Sequence, residues 1–472
     1  MAADLIAVPQ MNDSSSAKPK KARRTELLFC VGVFVFCYLV LGASPVRQIA
    51  DSKYSMLLSE SLLYHHSFTL DSYAIPRQPA TVQARWFNKR PYTYVGRIYQ
   101  VQLFDGHLYY YLPPGGSVLS LPFVAVMNAF GISASNADGT FNLAGETQME
   151  VLIATVLMAG LAVIFYVTAR MFLARGWSVL IALGATFGTQ VWSTASRALW
   201  QETWSIFLLG IVILMLLRHE FGYSRLRPVL LATIFAWMYF VRPTNALPIL
   251  AISIYIALYQ RKILAPYVVT GVVWFAAFIA FSWYHFHDWL PHYYLYAVFG
   301  FSTFWTALAG HLISPSRGFL IFVPVVLFTL YLLARYRSRL EQHRLVVLSL
   351  TVIVLHVLIH STFGFWVAGA SYGPRYMTGL IPWFVLLSAL GIKAMLGAHK
   401  DAVSKRYSLG RIAETAAGIV LLSISVFINA QGAIFQSTYE WNGRPPPVES
   451  NFERVWDWND PEFLVGIKEY FR

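Results

Sequence analysis

The sequence predicts an all-α polytopic membrane protein, and three observations carry that prediction. Of its 472 residues, 57% are hydrophobic and only 12% are charged, about half the charged share of an ordinary soluble domain. The apolar residues gather into stretches close to the length that crosses a bilayer. Basic residues recur in the short loops between alternate stretches. Mean hydropathy is +0.52. This composition excludes a disordered chain, a coiled coil and an ordinary cytosolic enzyme. The net charge of +13 is spread along the chain rather than gathered on one soluble domain, which excludes a nucleic-acid reader. Aromatics at 16% suit a protein with many membrane–water interfaces.

The elements follow in chain order. Residues 1–26 form a polar tail with Lys18, Lys20, Lys21, Arg23 and Arg24, read as cytoplasmic. Residues 27–43 are the first transmembrane helix. No small-residue cleavage site follows it, so it reads as a retained signal anchor. Cys30 and Cys37, the two cysteines, both lie inside it, which leaves the loops without a disulfide or a cysteine metal site. A long external loop covers 44–148. Within it Lys53–Leu63 has a helical apolar pattern, and Trp86–Tyr111 is rich in aromatic and β-branched residues, with a hairpin turn expected at Asp105-Gly106. Pro113-Pro114-Gly115-Gly116 then breaks the chain. Ser117–Phe130, fourteen residues long, has the length of an interfacial helix rather than a span.

Residues 149–428 form the transmembrane bundle. Its apolar segments are Met149–Phe172, Trp177–Ala195, Ala198–Leu217, Val229–Val241, Leu247–Tyr259, Ala265–Trp283, Phe319–Leu333, Leu345–Phe363, Met377–Leu396 and Ile412–Ile428. With the first helix they make about eleven spans, within a range of 10–13. Loop charge sets the orientation. With the N-terminus inside, the inner segments carry 21 basic residues against six acids. Counting Ser117–Phe130 as a span would invert that balance, against the positive-inside rule. Residues 429–472 are then an external C-terminal tail.

On this map the unusual charges converge on one rim. Asp51 follows the first span, Glu202 lies near the outer end of the fourth, Arg242 follows the fifth, Arg317 precedes the eighth and Arg375 precedes the tenth. Charges at the membrane edge are costly and usually have a partner or a task. Each also has a local reading. Asp51 could cap the helix starting at Lys53. Glu202 could pair with Arg197. The arginines could snorkel to headgroups. Taken together, three arginines suit a lipid phosphate or pyrophosphate, and a carboxylate beside them suits a base. That set describes displacement at a carbon bearing a phosphate leaving group. The outer face has no nucleotide pool, so the energy must arrive in the donor, as it does in a lipid-phosphate sugar. Tyr54, Asp105 and Tyr372 join Glu202 as candidate substrate-site residues.

The sequence points to no certain cofactor. A divalent metal could be held at His285-Phe286-His287-Asp288, if that stretch is a strand with alternating ligands. There is no Walker A loop, no Gly-rich loop after a strand and no nucleophile elbow.

The stretch Asp51-Ser52-Lys53-Tyr54 through His66-Ser67-Phe68-Thr69-Leu70-Asp71 resembles the start of the first outer loop in GT-C glycosyltransferases, the superfamily of lipid A aminoarabinose transferases and protein O-mannosyltransferases. Asp51 matches the acid that superfamily uses as catalytic base, and Ser52 replaces its frequent second acid. Asp105 to Pro114 resembles the superfamily's aromatic–Lys-Pro-Pro stretch, with Leu112 where the lysine is expected. That departure moves weight for phosphate binding to Arg375, Arg242 and Arg317. Pro315-Ser316-Arg317-Gly318 and Tyr372-Gly373-Pro374-Arg375-Tyr376 look like motifs of bacterial relatives. The resemblance implies a GT-C-like bundle with interfacial helices in the first outer loop and inverting transfer from a polyprenyl-phosphate-linked sugar donor. It also implies a glycan, lipid or protein acceptor and a place in the bacterial inner membrane among its lipids. The alternatives are a transporter or flippase, which would show repeats and mid-membrane charges, and a ligase for lipid-linked intermediates, which would not need Asp51 as base.

Overall fold

The computed structural model describes residues 19–75, 93–95, 98–295, 301–400 and 405–471. Most of the basic tail and the first part of the Trp86–Tyr111 stretch therefore lie outside the described residues. Each of the eleven apolar segments contains a helix. In order the helices are α1 (Pro19–Ala43), α2 (Ser55–Glu60), α3 (Gly115–Ala129), α4 (Leu143–Arg170), α5 (Arg175–Phe187), α6 (Gln201–Glu220), α7 (Pro228–Val241), α8 (Ala246–Tyr259) and α9 (Leu264–Phe286). They continue as α10 (His292–Leu295), α11 (Phe304–Ile313), α12 (Phe319–Phe322), α13 (Val325–Arg335), α14 (His343–His360), α15 (Ile381–Lys400), α16 (Lys405–Ile434), α17 (Gln436–Glu440) and α18 (Val465–Tyr470).

Among the described residues seven helical stretches are long and apolar enough to cross a membrane: Arg23–Ala43, Leu143–Arg170, Gln201–Glu220, Arg261–Phe286, His343–His360, Arg375–Ala398 and Ile412–Ile434. The chain is thus an all-α polytopic membrane protein. The other four expected spans are shorter helices. α7 and α8 have 14 residues each, about 21 Å at 1.5 Å per residue, against a hydrocarbon core of roughly 30 Å. Their shortness has a cause in the sequence. Pro243 disfavours helical geometry at the residue before it, and Arg242 is extended at φ −154°, ψ 115°. The same break turns Arg242 out of the helix.

α4 is the centre of the bundle. It packs on α1, α5 and α6, and most of its side chains are buried. At one end it locks the first helix through Glu26, whose carboxylate receives Arg170 Nη2 at 3.0 Å, Arg175 Nε at 2.7 Å and the Tyr166 hydroxyl at 2.7 Å.

The long loop after the first helix carries an exception to the all-α expectation, a three-stranded antiparallel sheet of β1 (Thr93–Val95), β2 (Ile98–Phe104) and β3 (His107–Tyr110). β2 and β3 are joined at Asp105-Gly106, with φ 50° and 82°. Two positive φ values in a two-residue loop are the geometry that matches strand twist in a tight hairpin. α3, expected as Ser117–Phe130, packs against α2 and α7. The C-terminal tail has a small core of its own: Trp441, Val448, Val455 and Val465 bury against Ala307 of α11 and against Trp366 and Val367 in the segment after α14.

Candidate active site

The site is built where four chain breaks meet. Asp51 lies in the turn that leads from α1 into α2. The hairpin fixes its main chain: Gln100 Nε2 donates to the Ala50 carbonyl at 2.9 Å and the Tyr110 hydroxyl to the Asp51 carbonyl at 2.8 Å. From the other side two acids one turn apart on α4 complete the frame. Glu146 accepts from the Met56 and Leu57 amides at 2.9 and 3.0 Å, the first free amides of α2. Glu150 accepts from the Leu199 amide at 3.0 Å, just before the start of α6. Asp51 therefore does not cap α2; Glu146 does so across the fold.

With its helix-capping duty taken elsewhere, Asp51 points its carboxylate at Arg375. Arg375 Nη1 lies 2.6 Å from Asp51 Oδ2, and the Tyr99 hydroxyl donates to Oδ1 at 2.8 Å. Arg375 Nε stands 3.7 Å from Glu202 Oε1, and Arg242 Nη2 stands 3.2 Å from the same oxygen. The order Asp51–Arg375–Glu202–Arg242 alternates sign, so four charges are held together at little net cost in charge. Aromatic faces hold the guanidinium planes. Arg375 lies 4.2 Å from the Trp200 ring centroid and 5.6 Å from that of Tyr376, and Arg242 lies 6.0 Å from Tyr376.

Exposure separates the roles. The side chains of Arg375, Glu202 and Arg242 are 7%, 5% and 6% exposed, while that of Asp51 is 29% exposed. A carboxylate that exchanges protons with a substrate needs access, and Asp51 has it. Glu202 is sealed and shared between two arginines, so it orients them. It sits in the first turn of α6, where a helix dipole favours a negative charge. Donor capacity remains. Arg375 Nε has no hydrogen-bond partner, and among the described residues the only polar partner of the Arg242 guanidinium is Glu202.

The structure brings together Asp51, Glu202, Arg242 and Arg375 from the expected set. The others depart from it. Arg317 is fully buried and its fork is already filled: Nε donates to Val367 O, Nη1 to Ser316 O and Glu462, and Nη2 to Gly369 O and Asn442. No donor is left over for a phosphate. Burial pushes the Glu462 carboxyl above its usual range, while Arg317 and the Gly373 amide hold its charged form. Tyr372 is buried with its hydroxyl on the Ile428 carbonyl at 2.6 Å, a packing role. Tyr54 is buried against Phe141, ring centroids 4.3 Å apart. Asp105 sits at the exposed hairpin tip, 3.6 Å from His287. Glu202 does not pair with Arg197, which instead donates to the Leu41 and Ser44 carbonyls.

His285-Phe286-His287-Asp288 is not a strand. His285 belongs to the last turn of α9 and packs among Phe68, Phe281 and Tyr109. Helical spacing points neighbouring side chains apart. Among the described residues no group of three His, Cys, Asp or Glu side chains is placed to hold a metal.

Tyr99, Trp200, Tyr376, Glu150 and Glu462 belong to the site or its frame and were not singled out by sequence. Tyr376 lay within the Tyr-Gly-Pro-Arg-Tyr motif, which was the one signal available for it.

No protein family and no curated protein matches the chain by sequence. In structure it is similar to ArnT from Cupriavidus metallidurans in the apo state, with a TM-score of 0.48 and 13% identity over 94% of this chain and 77% of that one. It is also similar to ArnT from the same organism bound to undecaprenyl phosphate, with a TM-score of 0.44 and 12% identity over 93% of this chain and 76% of that one.

Proposed function

We propose that this protein is a membrane glycosyltransferase that moves a sugar from a polyprenyl-phosphate donor to an acceptor hydroxyl. One observation carries the reading: the most exposed acid of a four-charge cluster, Asp51, is bonded to an arginine whose neighbours supply further cationic donors. Asp51 takes the proton of the acceptor hydroxyl while its oxygen attacks the anomeric carbon. The bond from that carbon to the phosphate oxygen breaks, and the departing lipid phosphate gains negative charge. The guanidinium groups of Arg375 and Arg242 are the cations that receive it, and charge-assisted bonds of this kind are the strong ones. A single displacement with one base inverts the anomeric centre.

The inner-side charge excess supports an orientation with the N-terminus in the cytoplasm and with residues 44–148 and 429–472 outside, as in a bacterial inner-membrane enzyme. The acceptor is then a glycan, lipid or protein hydroxyl of the envelope. The test is mass spectrometry of surface glycans, lipid A and exported proteins with the gene intact, deleted, and replaced by Asp51→Asn. The reading requires a sugar that disappears both on deletion and with Asp51→Asn. A modification that persists with Asp51→Asn would remove the base from the mechanism and favour a lipid-linked ligase.

A further inference from the structure

Asp51 has two carboxylate oxygens, and their partners differ in kind. Oδ2 is committed to Arg375 at 2.6 Å. Oδ1 is therefore the oxygen left to take a proton. A general base must hold the hydroxyl it deprotonates within about 2.6–3.2 Å, and a hydroxyl already stands there: that of Tyr99, at 2.8 Å. A protein side chain occupies the place that the acceptor hydroxyl needs.

This bond is not required to hold the loop. The residues that anchor the hairpin to the Asp51 turn are Gln100, bonded to the Ala50 carbonyl, and Tyr110, bonded to the Asp51 carbonyl. Gln100 is buried on one face of β2, while Tyr99 lies on the other face and is 43% exposed. Its ring can turn outward without opening a core. Burial of the hydroxyl, and then the nearby Asp51 charge, push the phenol above its usual range, so it stays protonated and donates.

We propose that Tyr99 is a hydroxyl gate: it holds the acceptor position on Asp51, keeps water off the base, and is displaced by the acceptor. The proposal rests on the reading of Asp51 as base. Its consequence is protection of the donor. With the gate absent, water binds Oδ1, passes a proton to Asp51 and attacks the anomeric carbon. The carbon–phosphate-oxygen bond then breaks and releases free sugar and lipid phosphate. Tyr99 acts through Asp51 and is a positioning residue rather than a catalytic one.

The experiment uses the full chain in lipid vesicles with synthetic polyprenyl-phosphate glucose, mannose and arabinose, without acceptor, and follows free sugar. Tyr99→Phe and Tyr99→Ala should raise the turnover of hydrolysis about ten- to a hundredfold, the ratio that one charge-assisted hydrogen bond corresponds to. The donor KM should stay unchanged, and Asp51→Asn should abolish the reaction. A tyrosine that served only structure would lower turnover when removed, because no loss of packing creates hydrolysis. If hydrolysis is unchanged or falls in both Tyr99 variants while Asp51→Asn is inactive, the gate is wrong and the base reading stands. If Asp51→Asn hydrolyses the donor as well as wild type does, or if no variant acts on any of the three donors, both readings fall.

Discussion

Arg375 Nη1 and Asp51 Oδ2 are 2.6 Å apart although 324 residues separate them in sequence. This contact joins the turn after the first membrane helix to the turn before α15. It also couples the proposed base to the proposed leaving-group site, because the guanidinium that touches Asp51 extends to Glu202 and Arg242. Acid and cation are thereby set at a fixed separation before substrate arrives, and such preorganisation lowers the cost of reaching the transition state.

The first consequence concerns Asp51 itself. Asp51→Asn keeps the size of the side chain and can still accept from Tyr99, but it removes the basicity. Activity should fall about 10²–10⁴-fold. Thermal stability should fall far less than activity, because α2 is capped by Glu146 and the turn is held by Gln100 and Tyr110, and the cost is confined to the charge partner that Arg375 loses. Turnover and melting temperature measured on the same preparation separate the two effects. A variant that loses stability in step with activity would make Asp51 a structural acid.

Arg375 offers a sharper comparison. Its planar group contacts Asp51, faces Glu202 and stacks on Trp200. A lysine keeps the charge but has neither the fork nor the flat face. Arg375→Lys should therefore weaken donor use by about ten- to a hundredfold, the equivalent of one charge-assisted hydrogen bond at ~1.5–3 kcal/mol. A headgroup anchor would tolerate the change, since lysine snorkels as well as arginine does. Donor titration of wild type, Arg375→Lys and Arg375→Ala decides the matter, and equal donor use by wild type and the lysine variant would return Arg375 to an anchoring role.

Orientation is testable at the exposed turn around Asp138, whose carboxylate receives the Thr140 amide and hydroxyl. A reporter inserted there should behave as external, because α3 is read as an interfacial helix and not as a span. A cytoplasmic signal would add one crossing and reverse the assignment of every loop after it.

The parts of the site that sequence revealed are those where a chain break and a charge coincide. Pro243 turns Arg242 out of α7, Gly373-Pro374 precedes Arg375, and Asp51 follows the end of the first apolar stretch. Such positions stand out in a chain that is mostly apolar. What sequence could not reveal is which distant group answers each one. Glu146 and Glu150 read only as acids near a span, yet they frame Asp51 through backbone amides 90 and 49 residues away. Tyr99 is one aromatic in a strand full of them. Arg317 shared the arginine pattern of its neighbours, and only the fold shows that its donors are all filled, two of them by Glu462 and Asn442 of the C-terminal tail.

That tail gives Arg317 a different role, and the last prediction follows from it. Glu462 Oε2 accepts from Arg317 Nη1 at 2.8 Å and from the Gly373 amide at 2.9 Å. Gly373 adopts φ 64°, and a Cβ there would stand 2.7 Å from the Phe322 ring, so the turn that presents Arg375 tolerates little change. Glu462 thus pins the residue two places before Arg375, and Arg317 keeps Glu462 charged and in place. Both are fully buried, and breaking such a pair leaves an uncompensated charge at a cost of roughly 3–5 kcal/mol. Arg317→Ala should therefore lower the melting temperature and activity together. Glu462→Gln keeps an acceptor for the Gly373 amide and should lose less stability. A phosphate-binding arginine would behave otherwise: Arg317→Ala would weaken donor binding with the fold unchanged, and Glu462→Gln, by freeing a guanidinium, would leave donor binding intact or improve it. Melting curves and donor titrations of the two variants distinguish the strut from the phosphate ligand. A stable Arg317→Ala protein with weakened donor binding alone would restore Arg317 to the phosphate site.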